Sequence, residues 1–105
     1  MKYKEANILT HIEGLDEIYR LRREFEIELE LSCLNSEFFD LTPLLSKALR
    51  LKKEYPDNIV LKESEFHDVD HPYYEISVFC NKKDLNIFKE ILNDYNLSID
   101  IIHEN

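Results

Sequence analysis

Two histidines and two aspartates stand within five consecutive residues, as His67, Asp68, Asp70 and His71. Imidazole and carboxylate groups are side chains that hold divalent metals such as zinc. The spacing is unspecific, however, because neither a glycine-bearing calcium loop nor a helical HExxH pattern surrounds the segment. The segment is therefore either a metal site or a polar connection between two strands, and we favour the connection.

Cys33 and Cys80 are the only cysteines of the chain. Two cysteines are too few for a disulfide scaffold, and they lack the paired spacing of a zinc site. A catalytic thiol would need a histidine and an orienting residue, which the local sequence does not place beside either cysteine. With a single glycine, Gly14, the chain also has no glycine-rich loop for phosphate. The sequence thus predicts core thiols, no enzyme and no cofactor.

The periodicity of the chain changes to two at Glu24. From there glutamate alternates with an apolar residue as far as Leu31. Such alternation is typical of a half-buried strand, whereas a long helix, the competing interpretation, would scatter these glutamates around its circumference. We therefore predict a strand from Glu24 that continues in the same phase to Cys33.

The other predicted elements follow from capping residues and apolar spacing. Thr10 and Asn81 are predicted helix N-caps, and Thr42-Pro43 is typical of a helix start. Apolar spacing then predicts helices over 10–22, 42–55 and 82–95 and strands over 59–66, 73–80 and 97–102.

Apart from the first helix, this order is strand, helix, strand, strand, helix, strand. It is the order of the ferredoxin-like βαββαβ sandwich, so the predicted fold class is α+β. We expect a four-stranded antiparallel or mixed sheet with two crossover helices, in a single domain over 1–105. A helical extension, 1–23, precedes the core, 24–102. The central strands, 24–33 and 73–80, are expected to pair in parallel, which would bring Cys33 close to Cys80.

The alternation also divides each strand between two sheet faces. The apolar phase should face the two crossover helices. The opposite phase combines carboxylates with aromatic rings, a mixture that is typical of interfaces with aromatic anchors in a polar rim. A solvated surface or packing of the first helix remains the alternative. The predicted partner-binding residues are Glu24, Glu26, Glu28, Glu30, Tyr73, Glu75, Phe79 and Asp100.

The chain carries 13 lysines and arginines against 22 aspartates and glutamates, a formal net charge of -9. This charge repels phosphate backbones and anionic lipids, so neither nucleic acid nor a membrane is expected as a partner. The absence of a long apolar run and of a secretory pattern predicts a cytoplasmic protein. A carboxylate-rich surface instead speeds the encounter with a basic protein.

The leading hypothesis is a non-enzymatic protein that binds and neutralises a basic cognate protein, as an immunity protein or antitoxin blocks a toxin or nuclease. The alternative is a dimeric domain that senses a small ligand, which rests on analogy with other ferredoxin-like domains. A metal-dependent enzyme using His67 to His71 comes third. Whether the chain forms a homodimer is left open.

Overall fold

The computed structural model of the chain describes residues 8–33, 42–65, 74–95 and 97–105. Within them the structure is α+β, with three α-helices, a short 3-10 helix and one five-stranded mixed sheet. No helix in these ranges is long and apolar enough to cross a bilayer. In chain order the elements are β1 (Ile8–Leu9), α1 (His11–Glu24), β2 (Ile27–Cys33), α2 (Thr42–Glu54), β3 (Ile59–Glu63), β4 (Tyr74–Cys80), the 3-10 helix (Lys82–Asp84), α3 (Leu85–Asp94) and β5 (Leu97–Glu104).

The strands lie in the order β1-β3-β4-β2-β5, with β4 and β2 next to each other inside the sheet. The predicted parallel pairing of these two strands is wrong. They are antiparallel, with Ile27 opposite Cys80 and Leu31 opposite Ile76. Strands β2 and β3, which α2 connects, run in the same direction, and β4 lies between them and is antiparallel to both. Only β1 and β3 pair in parallel among the described strands.

The direction of β4 also separates the two cysteines. Cys33 is opposite Leu97 at the end of β2, whereas Cys80 is opposite Ile27 at its beginning. Six residues of strand span about 20 Å. The predicted proximity of Cys33 and Cys80 is therefore wrong.

Several predicted boundaries also need correction. The sheet has a fifth strand, β1, which the sequence does not predict because a strand of two residues is too short to show a periodic pattern. Glu24 is the last residue of α1 rather than the start of a strand, and its carboxylate accepts a 2.7 Å hydrogen bond from Arg20 one helical turn earlier. Asn81 does not cap its helix through its side chain. Its Oδ1 instead accepts a hydrogen bond from the Glu26 amide.

The N-terminus of α1 confirms one predicted cap. Thr10 accepts a hydrogen bond from the Glu13 amide, and the Glu13 carboxylate accepts one from the Thr10 amide. This reciprocal pair is a capping box, which satisfies two amides that a helix start leaves without partners. The carboxylate hydrogen bonds also lower the pKa of Glu13. The first helix therefore begins where the sequence places it.

The main core lies between one sheet face and helices α2 and α3. The apolar phase of both central strands faces these helices, as predicted from the alternation. The buried residues of this core, from the strands and the two helices together, are Ile27, Leu29, Leu31, Ala48, Leu51, Ile59, Leu61, Ile76, Val78, Cys80, Phe88 and Leu92.

Helix α1 covers part of the opposite sheet face. There Ile18 and Leu21 pack against Val60 and Phe79, and all four side chains are buried. Phe79 has no exposed surface, so this ring is not an outward-facing anchor. The packing alternative for the first helix is thus the one that the structure adopts. The sheet therefore has α2 and α3 on one face and α1 over part of the other.

The close approach of α1 to the sheet depends on Gly14. A Cβ atom built on Gly14 would lie 2.3 Å from the Cβ of Lys62 on β3, well inside van der Waals contact. Glycine normally weakens a helix interior by about 1 kcal/mol relative to alanine. Here its missing side chain lets the helix backbone rest on the aliphatic part of Lys62.

We expect Gly14→Ala to lower the free energy of unfolding by about 1–2 kcal/mol, because overpacking outweighs the gain in helix propensity. Urea unfolding monitored by circular dichroism measures the change. The control is Asp16→Ala, which replaces an exposed residue of the same helix and should stay within about 0.5 kcal/mol of the wild type. A Gly14→Ala variant that is more stable than wild type would contradict the close packing.

Candidate functional site

Helix α1 leaves a groove on its side of the sheet. The helix packs mainly on β3, with fewer contacts to β4, so the half of this face formed by β2 and β5 is less covered. The groove has a volume of about 220 Å³. Its lining includes five charged side chains from α1 and the sheet, which are Arg22, Glu28, Glu30, Lys62 and Glu75.

A buried ion pair forms the inner wall of the groove. The Nε of Arg22 on α1 donates to Oε1 of Glu28 on β2 at 2.5 Å. The Glu28 side chain is only 2% exposed, whereas that of Arg22 is 34% exposed. The guanidinium carbon also lies 5.6 Å from the centre of the Tyr19 ring, within the range of a cation–π contact. Arg22 thus compensates the one fully buried carboxylate of β2.

A second charged group lies at the other end of the groove. Lys62, with 4% of its surface exposed, donates to the carboxylate of Glu75 on the neighbouring strand β4. Its ammonium group is also 3.3 Å from Nδ1 of His11, which must be the acceptor because a lysine can only donate. The same Glu75 accepts a longer contact of 3.5 Å from the Ser64 hydroxyl. Lys62 is therefore held by partners on both α1 and β4.

Glu30 lines the groove, and the residue that faces it on the neighbouring strand is also acidic. Glu30 on β2 is directly opposite Asp100 on β5, and both side chains are exposed. Within the described part of the chain neither carboxylate forms an ion pair or a side-chain hydrogen bond. Like charges directly opposite each other destabilise a sheet. A cation bound between them would remove this repulsion.

Two large side chains with apolar surface line the same groove as Glu30. Ile102 is 45% exposed and Tyr19 is 55% exposed, and both line the groove. The register between β2 and β5 shifts where Glu28 is opposite His103 and Leu29 is opposite Ile101. Ile102 is the extra residue at this bulge, and bulges redirect side chains. The groove thus combines the negative charge of Glu30 with the apolar surface of Tyr19 and Ile102.

The other predicted residues of this face do not form one surface. Glu26 accepts a hydrogen bond from the Lys82 amide at 3.1 Å, and Glu24 pairs with Arg20 on α1. Glu28 and Phe79 are buried, so they present nothing to a partner. Glu30, Glu75 and Asp100 are the predicted residues that remain exposed near the groove.

Five predicted residues lie outside the residues that the structure describes. They are Tyr73 and the candidate metal ligands His67, Asp68, Asp70 and His71. Elsewhere in the described ranges, no group of three histidine, cysteine or acidic side chains is placed to hold a metal ion.

Sequence reasoning missed the contribution of α1 to this site. His11, Leu15, Ile18 and Arg22 all line the groove. Their spacing of three or four residues places them on one helix face, a signal that the sequence contains. The apolar spacing alone predicts a packing face, and it does not show that His11 and Arg22 on the same helix face line a groove.

The described cysteine is unsuited to covalent chemistry. Burial raises the pKa of the Cys80 thiol to about 11, and the charge of Asp84 adds to the effect. The thiolate is the nucleophilic form of cysteine, so Cys80 is unreactive at neutral pH. This agrees with the prediction that the thiol is part of the core.

Comparisons with protein-family models, with curated proteins and with solved structures found no significant match to this chain. Its function is therefore inferred from its own geometry and charge.

We expect Arg22→Ala to lower the free energy of unfolding by about 2–3 kcal/mol, because it leaves the Glu28 carboxylate buried without its cation. The loss is below that of fully buried pairs since part of Arg22 is in solvent. Adding Glu28→Gln should restore much of the stability, as measured by urea unfolding of both variants.

The matched control for this pair is Arg20→Ala on the same helix. Arg20 pairs with Glu17 and Glu24 at the surface, where ion pairs contribute little. Its removal should cost less than about 1 kcal/mol. Equal losses from Arg20→Ala and Arg22→Ala would show that the buried pair has no special role.

A Cys33→Ser variant, in which Cys80 is the remaining cysteine, should react with a thiol reagent about a hundredfold more slowly when folded than when unfolded in urea. The reason is that raising the thiol pKa from 9.0 to about 11 lowers the thiolate fraction by that factor. Stability should also fall as the pH rises from about 9 to 11, because the unfolded chain loses this proton first. Fast labelling of the folded variant would contradict the burial.

Proposed function

We propose that this chain is a non-enzymatic binding protein that neutralises a basic cognate protein, as an immunity protein or antitoxin does. The observation that carries the proposal is that Glu30, which lines the groove, is directly opposite Asp100 and that neither has a cationic partner among the described residues. A lysine or arginine of a partner placed there would form charge-assisted hydrogen bonds with both carboxylates. Binding would thereby relieve a repulsion that exists in the free protein.

The surroundings of the carboxylate pair support a protein partner. Tyr19 and Ile102 provide exposed apolar surface beside the charges, and tyrosine is enriched among residues that contribute most to binding. Glu65 and Glu75 are exposed further along the same groove. The net charge of -9 adds long-range attraction for a basic protein and accelerates the encounter at low salt.

We also propose that the core of this chain has a ferredoxin-like fold. Strands β2 to β5 lie in the order β3-β4-β2-β5 and are antiparallel throughout. Together with α2 and α3 on one face, this order supports a ferredoxin-like sandwich to which β1 and α1 have been added. In this arrangement α1 takes over part of the face that a bare four-stranded sheet would leave open.

A second candidate is a domain that senses a small ligand, and the groove beside α1 is the observation that favours it. Its volume of about 220 Å³ is below the roughly 300–1,000 Å³ of most ligand pockets. Its inner charges are already paired with each other, which leaves few groups to orient a ligand. We therefore prefer the protein partner.

Affinity capture from the native lysate at low salt tests the proposal. Wild-type protein should recover a basic protein, and the double variant Glu30→Lys with Asp100→Lys should recover at least tenfold less, because juxtaposed like charges cost several kcal/mol. Raising the salt should weaken capture by wild type.

The control variant is Glu54→Lys, an exposed residue of α2 on the other side of the sheet. It reverses one charge, half of the change in the double variant, at a position outside the groove, so it should capture as well as wild type. Thermal unfolding of all variants establishes that they are folded. Undiminished capture by the Glu30 and Asp100 double variant would rule out this site as the binding surface.

A further inference from the structure

Strand β5 forms one edge of the sheet. It runs over eight residues, Leu97–Glu104, and pairs with β2 on one side. No described strand pairs with its outer side. An outer strand presents backbone N–H and C=O groups that can pair with another extended chain. The opposite edge differs, because it is formed by the two residues of β1.

Grooves accompany β5 on both faces of the sheet. The groove beside α1 reaches Glu30 and Ile102. A second, shallow groove, of about 630 Å³, lies between α3 and β5 and is lined by Ile99, Asp100 and Ile101 of β5 and by Lys89, Glu90 and Asn93 of α3. Successive side chains of a strand point to opposite faces of its sheet. A strand added to β5 would therefore direct its side chains alternately into the two grooves.

We propose that an extended basic segment of the partner adds to β5 as a further strand of the sheet. This inference rests on the proposed function and specifies how the partner is recognised. Main-chain hydrogen bonds to β5 supply affinity, and the two grooves select the side chains, as in other cases of strand addition. Basic side chains meet Glu30 and Asp100, and the intervening apolar side chains meet Ile99 and Ile101.

The charges around β5 favour a basic segment over a second copy of this chain. The strand carries Asp100 and Glu104, Glu30 lies beside one of its faces, and Glu90 and Lys89 lie beside the other, so the acidic groups outnumber the basic one. A second copy would bring the same carboxylates and another net charge of -9 to the edge. Like charges across an interface oppose association, whereas lysine and arginine complement them.

The bulge at Ile102 limits the length of the added strand. Leu97 to Ile101 pair regularly with β2, and the register shifts beyond them. Bulges interrupt the ladder and twist an edge away from further pairing. The added segment therefore pairs along Leu97–Ile101, over about five residues.

The probe for this mode is a peptide of alternating arginine and valine, about seven residues long so that it spans Leu97–Ile101. Its block isomer, with the arginines first and the valines last, has the same charge and composition. Two further versions carry N-methyl groups on alternate residues, one version for each edge of the peptide strand. Fluorescence anisotropy measures affinity, and amide hydrogen exchange followed by NMR locates the protected backbone.

We expect the alternating peptide to bind and to slow exchange of outward-facing amides within Leu97–Ile101. The block isomer should bind about tenfold more weakly. One of the N-methylated versions should also lose about tenfold or more, because it can no longer form the several hydrogen bonds to β5, whereas the other keeps them.

Two protein variants separate the edge from general surface effects. Ile101→Lys puts a positive charge on β5, and Ile87→Lys makes the same change at an exposed isoleucine of α3. The first should weaken binding of the alternating peptide about tenfold, and the second should leave it within about twofold of wild type.

Binding that is lost in the Glu30→Lys variant but is equal for both N-methylated peptides would overturn strand addition while leaving the acidic surface as a binding site. Absence of binding by all peptides would also overturn it, and the lysate capture would then decide the proposed function separately. Concentration-dependent protection of β5 without peptide would assign the edge to a second copy and overturn the proposal.

Discussion

The structure depends on burying both faces of the inner strands β3 and β4. On β4, Val78 faces α2 and α3 while the next residue, Phe79, faces α1, and neither has exposed surface. A strand of this kind cannot be stable with helices on one side only, because Phe79 alone would expose a large apolar ring to water. Helix α1 is therefore an integral layer of the fold. Its close approach is possible because Gly14 has no side chain where Lys62 passes beneath it.

Covering this face has an electrostatic consequence. The face carries the polar phase of the strands, so α1 encloses charged groups together with the apolar ones. Glu28 pairs with Arg22 of the helix, and Lys62 contacts Glu75 of β4 and His11 of the helix. Removing one partner of a buried pair is costly even where the pair itself contributes little net stability. These contacts consequently favour one position of α1 over other positions that would satisfy its apolar residues equally well.

The sequence is sufficient to predict most helices and strands. It does not predict the relative direction of β2 and β4, or the packing of α1 on the second face of the sheet. Alternation identifies Ile27, Leu29 and Leu31 as core residues, and Thr10 identifies a helix start, because both signals are local. The antiparallel pairing of Ile27 with Cys80 depends on which strand is inserted between two others, which no local pattern encodes. Likewise, Glu28 and Glu30 are equivalent in the alternation. Only the position of α1, which supplies Arg22 to the first, makes one of them interior and leaves the other exposed.

Helix α1 divides the charged groups on its side of the sheet into paired and unpaired ones. Among the described residues, Lys62 is paired with Glu75, Arg22 is paired with Glu28, and the Cys80 thiol stays protonated at neutral pH because of its burial. What α1 leaves open is the part of the face along β5, where unneutralised carboxylates lie next to exposed isoleucine. Such a surface can attract and hold a cationic chain. The same helix that completes the core thus determines which charges remain for a partner.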